Sequence, residues 1–312
     1  MLTIAIGRNK GGASFVSMTV RVMAEASIIQ EDVILSLRGL TCAVGLFLCL
    51  ANVEPASALQ QDFYKDWDRQ LEKYVDTRGT VNYRSWKNDR AGLDSFLTES
   101  GKLTAQDYAA MKKEDRLAFW INLYNAFTVK QILDHYPLKR SGLNFYPDSS
   151  IRQIDGVWDK FKVSAAGKSV SLSDIENKIL RSELREPLIH FAINCASKSC
   201  PKLLNRAYRG GDLIYKDMET AALEFVNDKS RNRFDAGTRK VEISRIFEWF
   251  GDDFKARYGS KILPGRSAKE SAVIGFIQKY IQGTDRDLIM SNRFSTGYLP
   301  YDWSLNEQTG RQ

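Results

Sequence analysis

The chain has 312 residues, 43% of them hydrophobic and 27% charged. That composition excludes a disordered or low-complexity chain and leaves material for one large core or two smaller ones. Its 45 Lys and Arg against 38 Asp and Glu give a formal charge of +7. The signs are interspersed and no basic block marks a nucleic-acid arm, so only a weak preference for anionic surfaces or substrates follows.

The first 58 residues read as a leader, not as fold. Arg8, Lys10, Arg21 and Arg38 cancel Glu25, Glu31, Asp32 and Glu54, so the whole surplus of charge falls on residues 59–312. Arg38 precedes the run Gly39 to Ala51, which is apolar apart from Thr41, and Ala56-Ser57-Ala58 supplies a small-x-small end. These are the parts of a secretory signal. The run is shorter than the ~20 residues a spanning helix needs. Cleavage is expected after Ala58, giving an exported, periplasmic or secreted chain with no stable membrane insertion; an uncleaved anchor is the alternative. Leu48 is too bulky to precede a lipidated Cys49, and Met18 or Met23 are alternative starts. Cys42 and Cys49 leave with the leader. Cys195 and Cys200 remain, in an oxidising compartment.

Residues 59–112 read as an N-terminal helical cap, 113–306 as a main α+β domain and 307–312 as a tail. Phe63, Trp67, Leu71 and Tyr74 have helical spacing, and Arg78-Gly79 ends that helix. A second helix runs from Val81 to about Leu97. Thr104 caps a short third helix, with Asp107 at the capping-box position. The longest helix spans Glu114 to Tyr136 and is apolar on nearly every side, as a buried helix is. Asn122 and Asn125 share one of its faces. Buried amides need partners, either neighbouring backbone or the site itself. Tyr136-Pro137 stops the helix, and residues 139–156 form a loop. A hairpin follows (Trp158 to Val163, Ser169 to Leu172), then a helix from Asp174 to Arg181 with Glu176 in its first turn. The run 188–194 reads as a central buried strand. Helices at Tyr215–Val226, Ile246–Tyr258 and Ala268–Ile281, a strand at Lys240–Ser244, and a strand or turn at 299–303 complete the chain.

The stretch Leu188 to Pro201 concentrates the chemistry. It holds one of the two histidines, His190 (the other is His135), and both remaining cysteines. A cysteine nucleophile needs a thiolate and so a base or cationic neighbour, and an acidic group to orient the base. Cys195, His190 and Glu176 are of the right types. Residues five apart on a regular strand point to opposite faces, so His190 meets Cys195 only if the chain bends near Asn194; His135, at the C-terminal end of the long helix, is the other candidate base. Asn122, Asn125, Asn194, Ser197 and Cys200 are candidates for substrate contact or support of the site. Trp120 and Trp303 read as core, and Lys198 as a solvated loop lysine.

Five ordered motifs, VNYRSW (81–86), FWINLYNA (119–126), LSDIENKILR (172–181), HFAINCASKSCPKL (190–203) and YDWSLN (301–306), give the chain a resemblance to the bacterial branch of the family catalogued as domain of unknown function 547, over roughly residues 62–306. The resemblance implies a helix-rich α+β domain with a small mixed or antiparallel sheet, somewhat like the papain and transglutaminase group, and a Cys-His-Glu constellation. Cys195 matches the cysteine of the family's Cys-small-Ser pattern and Glu176 the glutamate of its Ile-Glu-His pattern. Asn177 departs from that pattern, because many relatives carry histidine there; if that histidine is the general base, this chain has lost it or uses His190 instead.

Three functions stay open. One is a cysteine hydrolase or acyl transferase acting on a peptide or related amide. The second is a non-catalytic exported binding or scaffold domain in which Cys195 and Cys200 form a structural disulfide. The third is a thiol-disulfide redox protein, disfavoured because the spacing is not Cys-x-x-Cys. No cofactor is called for, and two distant histidines with no clustered ligands give no metal site. The expected partner is a peptide-like or small-molecule substrate, not nucleic acid.

Overall fold

A helix apolar on nearly every side has to be surrounded, and that requirement organises this chain. In the computed structural model, residues 2–8, 14–20, 63–142 and 145–309 are described. Two compact units are present, residues 1–53 and 54–312. In the first, β1 (Leu2–Arg8) and β2 (Ser14–Val20) pair antiparallel, with Leu2 opposite Val20 and Arg8 opposite Ser14. The apolar run 39–51 and the expected cleavage site after Ala58 lie outside the described residues.

In the second unit, α1 (Lys65–Tyr74), α2 (Tyr83–Lys87), α3 (Ala91–Lys102) and α4 (Ala105–Ala110) precede α5 (Lys113–His135). The single helix expected over 81–97 is two helices, with Asn88 to Arg90 between them. The capping box of α4 is complete: the Asp107 amide donates to Thr104 Oγ1 at 3.1 Å and the Thr104 amide to Asp107 Oδ2 at 3.0 Å. α5 has 23 residues and is buried continuously from Leu117 to Val129. It packs against α2, α3, the later α6 (Asp212–Asn227) and a π-helix at Asp174–Glu183. Trp67, Trp86, Trp120 and Phe96 are buried in one hydrophobic core that continues to Leu305. The cap helices therefore share the core of the rest of the unit.

The strands are short and peripheral. β3 (Val163–Ala165) and β4 (Lys168–Val170) form a hairpin, tighter than expected, across Ala166 and Gly167, which both have positive φ; two left-handed residues are what a two-residue hairpin turn demands. β5 (Arg233–Asp235), β6 (Lys240–Ile243) and β7 (Ser295–Tyr298) form a mixed sheet, β5 antiparallel and β7 parallel to β6. The elements after β6 other than β7 are helical: α7 (Arg245–Phe250), a 3₁₀ turn Gly251–Phe254, α8 (Lys255–Tyr258), α9 (Ala268–Gln278) and α10 (Gly283–Ser291). The fold is a helix-rich α+β domain with small sheets. Among the described residues, no helix is long and apolar enough to cross a membrane.

The central strand expected at 188–194 is instead a 3₁₀ helix, Pro187–Phe191, followed by an irregular turn. Short apolar runs buried on all sides carry no periodicity that separates helix from strand. Here the ends decide: Pro187 has the fixed φ of a first helical residue, and the Glu186 side chain accepts from the Leu188 amide at 3.1 Å. Phe191 stacks on Phe276, rings 5.1 Å apart and nearly parallel, and also meets Phe225, Phe247 and Phe254. That aromatic cluster holds the segment and hence sets where His190 points.

Candidate functional site

A cavity of about 300 Å³ opens between the π-helix, the loop 193–201, α7 and residues 301–303. Cys195, His190 and Glu176 all line it, together with Cys200. The helical turn at 187–191 removes the strand objection, since His190 and Cys195 no longer alternate across a sheet.

The two cysteines are bonded to each other, with Cα atoms 6.2 Å apart, inside the normal disulfide range of roughly 4.4–6.8 Å. The loop they close is pinned at almost every residue. Asn125, from the buried face of α5, donates to the Ala192 carbonyl at 3.0 Å and accepts from the Asn194 amide at 2.8 Å. Asn194 in turn donates to the Pro201 carbonyl at 2.6 Å and accepts from the Ala196 amide at 2.8 Å. These bonds hold Ala196 at φ +59°, a left-handed conformation disfavoured for a residue with a Cβ. The Lys198 amide donates to the Ser304 carbonyl at 2.8 Å, and Arg231 donates to the Lys198 and Cys200 carbonyls at 3.0 and 2.9 Å. Above the sulfurs, the Tyr301 hydroxyl lies 3.4 Å from Cys195 Sγ and 3.2 Å from Cys200 Sγ, and accepts from Ser197 Oγ at 3.1 Å. Burial pushes the Tyr301 phenol well up, so it stays protonated and donates. Asn122 serves a different segment: it donates to the Tyr208 carbonyl at 2.9 Å and accepts from the Tyr208 amide at 3.0 Å. Neither α5 asparagine lines the cavity.

His190 is oriented by a carboxylate, but that carboxylate is Asp253 from the 3₁₀ turn, not Glu176. Nε2 of His190 lies 2.7 Å from Asp253 Oδ2. Arg181 grips the same carboxylate from the π-helix, Nε to Oδ2 at 2.6 Å and Nη2 to Oδ1 at 3.0 Å. Burial opposes ionisation of Asp253, yet the hydrogen bonds from His190 and Arg181 win and hold it far below the usual carboxylate range. An ionised carboxylate can only accept, so Nε2 is the donor of this bond. The imidazole lies flat on Phe250, centroids 4.3 Å apart. Asn177 extends this chain of contacts: its Oδ1 accepts from Arg181 Nη1 at 2.6 Å, and its Nδ2 donates to Ser173 Oγ at 3.2 Å. Asn177 thus reaches His190 through Arg181 and Asp253.

Glu176 stands apart from that network. Its Oε2 accepts from the Tyr124 hydroxyl at 3.1 Å. Burial raises its carboxyl above the ordinary value, against the opposing pull of the nearby His190 and the Tyr124 bond. His135 is bonded through Nδ1 to the Gln131 carbonyl of its own helix at 2.8 Å and does not line the cavity. Among the described residues, no group of three or more His, Cys, Asp or Glu is clustered to hold a metal ion.

Aromatic side chains make the rest of the wall. Trp158, Trp249, Phe250 and Trp303 line the cavity, and Trp249 stacks on Trp303 at 5.9 Å. Trp303, which reads as core in the sequence, is a wall residue, whereas Trp120 is fully buried. Asp253, Arg181 and Arg152 were not legible as site residues. Asp253 and Arg152 reach the site from elements with no local motif around them, and Arg181, although it ends the motif 172–181, finds its partner Asp253 72 residues away.

Fold and cavity together define a helix-rich α+β domain with a disulfide at the base of an aromatic pocket. The family model described as protein of unknown function, DUF547, matches residues 108–226, and over those residues the chain resembles that family. The matched segment carries Glu176, His190, Cys195 and Cys200, while Asp253, Tyr301 and Trp303 lie beyond it. No curated protein and no solved structure matches the chain.

Proposed function

We propose that this domain is an exported binding module: the Cys195–Cys200 disulfide fixes the floor of an aromatic pocket that takes a small organic or peptide-like ligand. One observation carries this reading. The sulfurs are bonded to each other in a loop held by Asn125, Asn194, Arg231 and Tyr301, which leaves no free thiol at the cavity, and Nε2 of His190 is engaged by Asp253. A bonded pair in a small loop suits an oxidising compartment, as export would supply. The pocket is of the size and composition usual for small-molecule sites.

A second reading has its own support. Cys195, His190 and Glu176 line one cavity, and a histidine oriented by an ionised, partly buried aspartate is the arrangement of a general base. If an external thiol reduced the disulfide, this becomes a cysteine hydrolase or acyl transferase acting on a peptide or related amide. The two readings part on the reduced protein. Binding predicts that Cys195 reacts with iodoacetamide no faster than a peptide cysteine at neutral pH, in wild type and His190→Ala alike. A rate well above the peptide's, falling back in His190→Ala, would replace binding with catalysis.

A further inference from the structure

One cation in the pocket has no counter-charge. Arg152 sits in a short 3₁₀ helix, Ile151–Gln153, capped by Ser150, whose hydroxyl accepts from the Arg152 amide at 3.2 Å. Its guanidinium is enclosed by three rings, those of Tyr146, Trp158 and Trp303, at 4.8, 5.1 and 4.7 Å. Among the described residues it forms no ion pair and no side-chain hydrogen bond, and its Nε is buried without a partner. Among the described residues it is also the one arginine or lysine lining this cavity. Arg181, by contrast, is spent on Asp253.

The surroundings hold Arg152 in place. Gln153, the next residue, donates to the Tyr146 and Pro147 carbonyls at 3.2 Å each, and the Ser149 carbonyl accepts from the Leu305 amide at 2.8 Å. The first pair closes the segment bearing Tyr146 and Arg152 on itself, and the Ser149–Leu305 bond ties it to the chain that carries Trp303. Aromatic faces attract a guanidinium but cannot satisfy its N–H donors. A planar guanidinium already fixed by rings loses little freedom when it binds a matching planar anion.

Resting on the binding reading above, we infer that Arg152 is the anchor for a carboxylate: the ligand is a monoanionic organic acid, free or at a peptide C-terminus, whose apolar or aromatic body lies against Trp249 and Trp303. A carboxylate matches the guanidinium with two parallel hydrogen bonds. A phosphate dianion fits poorly, because the pocket offers one cation and also contains Glu176.

Calorimetry with N-acetylphenylalanine, its uncharged amide and a tetrapeptide ending in phenylalanine tests this on the oxidised full chain. The acid is expected to bind roughly tenfold to a hundredfold tighter than the amide, the ratio set by a charge-assisted hydrogen bond. In Arg152→Met, with a melting temperature showing that it folds, the acid should fall to the affinity of the amide. The tetrapeptide distinguishes the sources: binding equal to that of the acid identifies a peptide C-terminus, and its exclusion identifies a free acid. Acid and amide binding equally to wild type would overturn the carboxylate anchor and leave the pocket intact as a binding site. A preference that survives in Arg152→Met, or displacement of the acid by inorganic phosphate at equal concentration, would overturn it too. No binding of any probe would remove the binding reading together with the anchor.

Discussion

The two walls of the pocket are built on opposite plans. The disulfide wall, residues 192–201, has its polar groups satisfied: Asn125, Asn194, Arg231 and Tyr301 between them bond seven of its carbonyl, amide and sulfur positions within 3.2 Å. The aromatic wall is held through backbone and Gln153, yet among the described residues it gives the Arg152 guanidinium no polar partner. The first plan fixes a shape and the second holds a charge in reserve. Unpartnered groups cost stability, so a chain that closes one wall so fully and leaves the other open places its capacity for recognition in the open one.

The largest effect expected on this contrast comes from Asn125→Leu. It strips the Ala192 carbonyl and the Asn194 amide of partners, each loss costing about 1–3 kcal/mol. The melting temperature should fall by at least about 5 °C. Asn122→Leu should cost a similar amount, because it unpairs both backbone groups of Tyr208, but it should leave reduction of the disulfide unchanged. Thermal scans and a dithiothreitol titration separate the two; identical behaviour in both variants would mean that Asn125 has no special hold on the loop.

Next comes the disulfide itself. Replacing both cysteines by alanine opens a ring of six residues, for which the loop-entropy relation gives about 2 kcal/mol. Urea unfolding should show that loss. A stability unchanged by the double replacement would place all of the wall's rigidity in its hydrogen bonds.

Smaller still is the pH dependence of Asp253. A carboxylate whose folded pKa is depressed adds stability above its unfolded pKa, about 4, and that stability is lost as the pH falls through the folded value. Urea midpoints should therefore drop more steeply below pH 4 in wild type than in Asp253→Asn. Parallel acid limbs would contradict the assignment of Asp253 as the ionised partner of His190 and Arg181.

Local signals were readable in advance, and long-range ones were not. The Thr104–Asp107 capping box and the buried α5 with its paired asparagines follow from spacing alone, because capping and amphipathicity act within a turn or two. The cysteine pair was legible as a candidate bridge, one of the readings left open for it, and the two sulfurs are bonded. Pro187 to Phe191 defeated periodicity because every side chain there is buried. Asp253 and Arg152 defeated it for another reason: their roles depend on elements that meet only in the folded chain, His190 with the 3₁₀ turn and Arg152 with Tyr146, Trp158 and Trp303. Glu176 shows the limit of resemblance, since its residue type fits an orienting acid while its hydroxyl partner is Tyr124.

The account turns on the state of two sulfurs. Native protein, purified without reductant and denatured in excess iodoacetamide, should yield a peptide spanning Cys195 and Cys200 that carries no alkyl group and is two hydrogens lighter than the dithiol. Both cysteines alkylated in that unreduced sample would contradict the closed floor of the pocket and return the site to the thiol chemistry of Cys195.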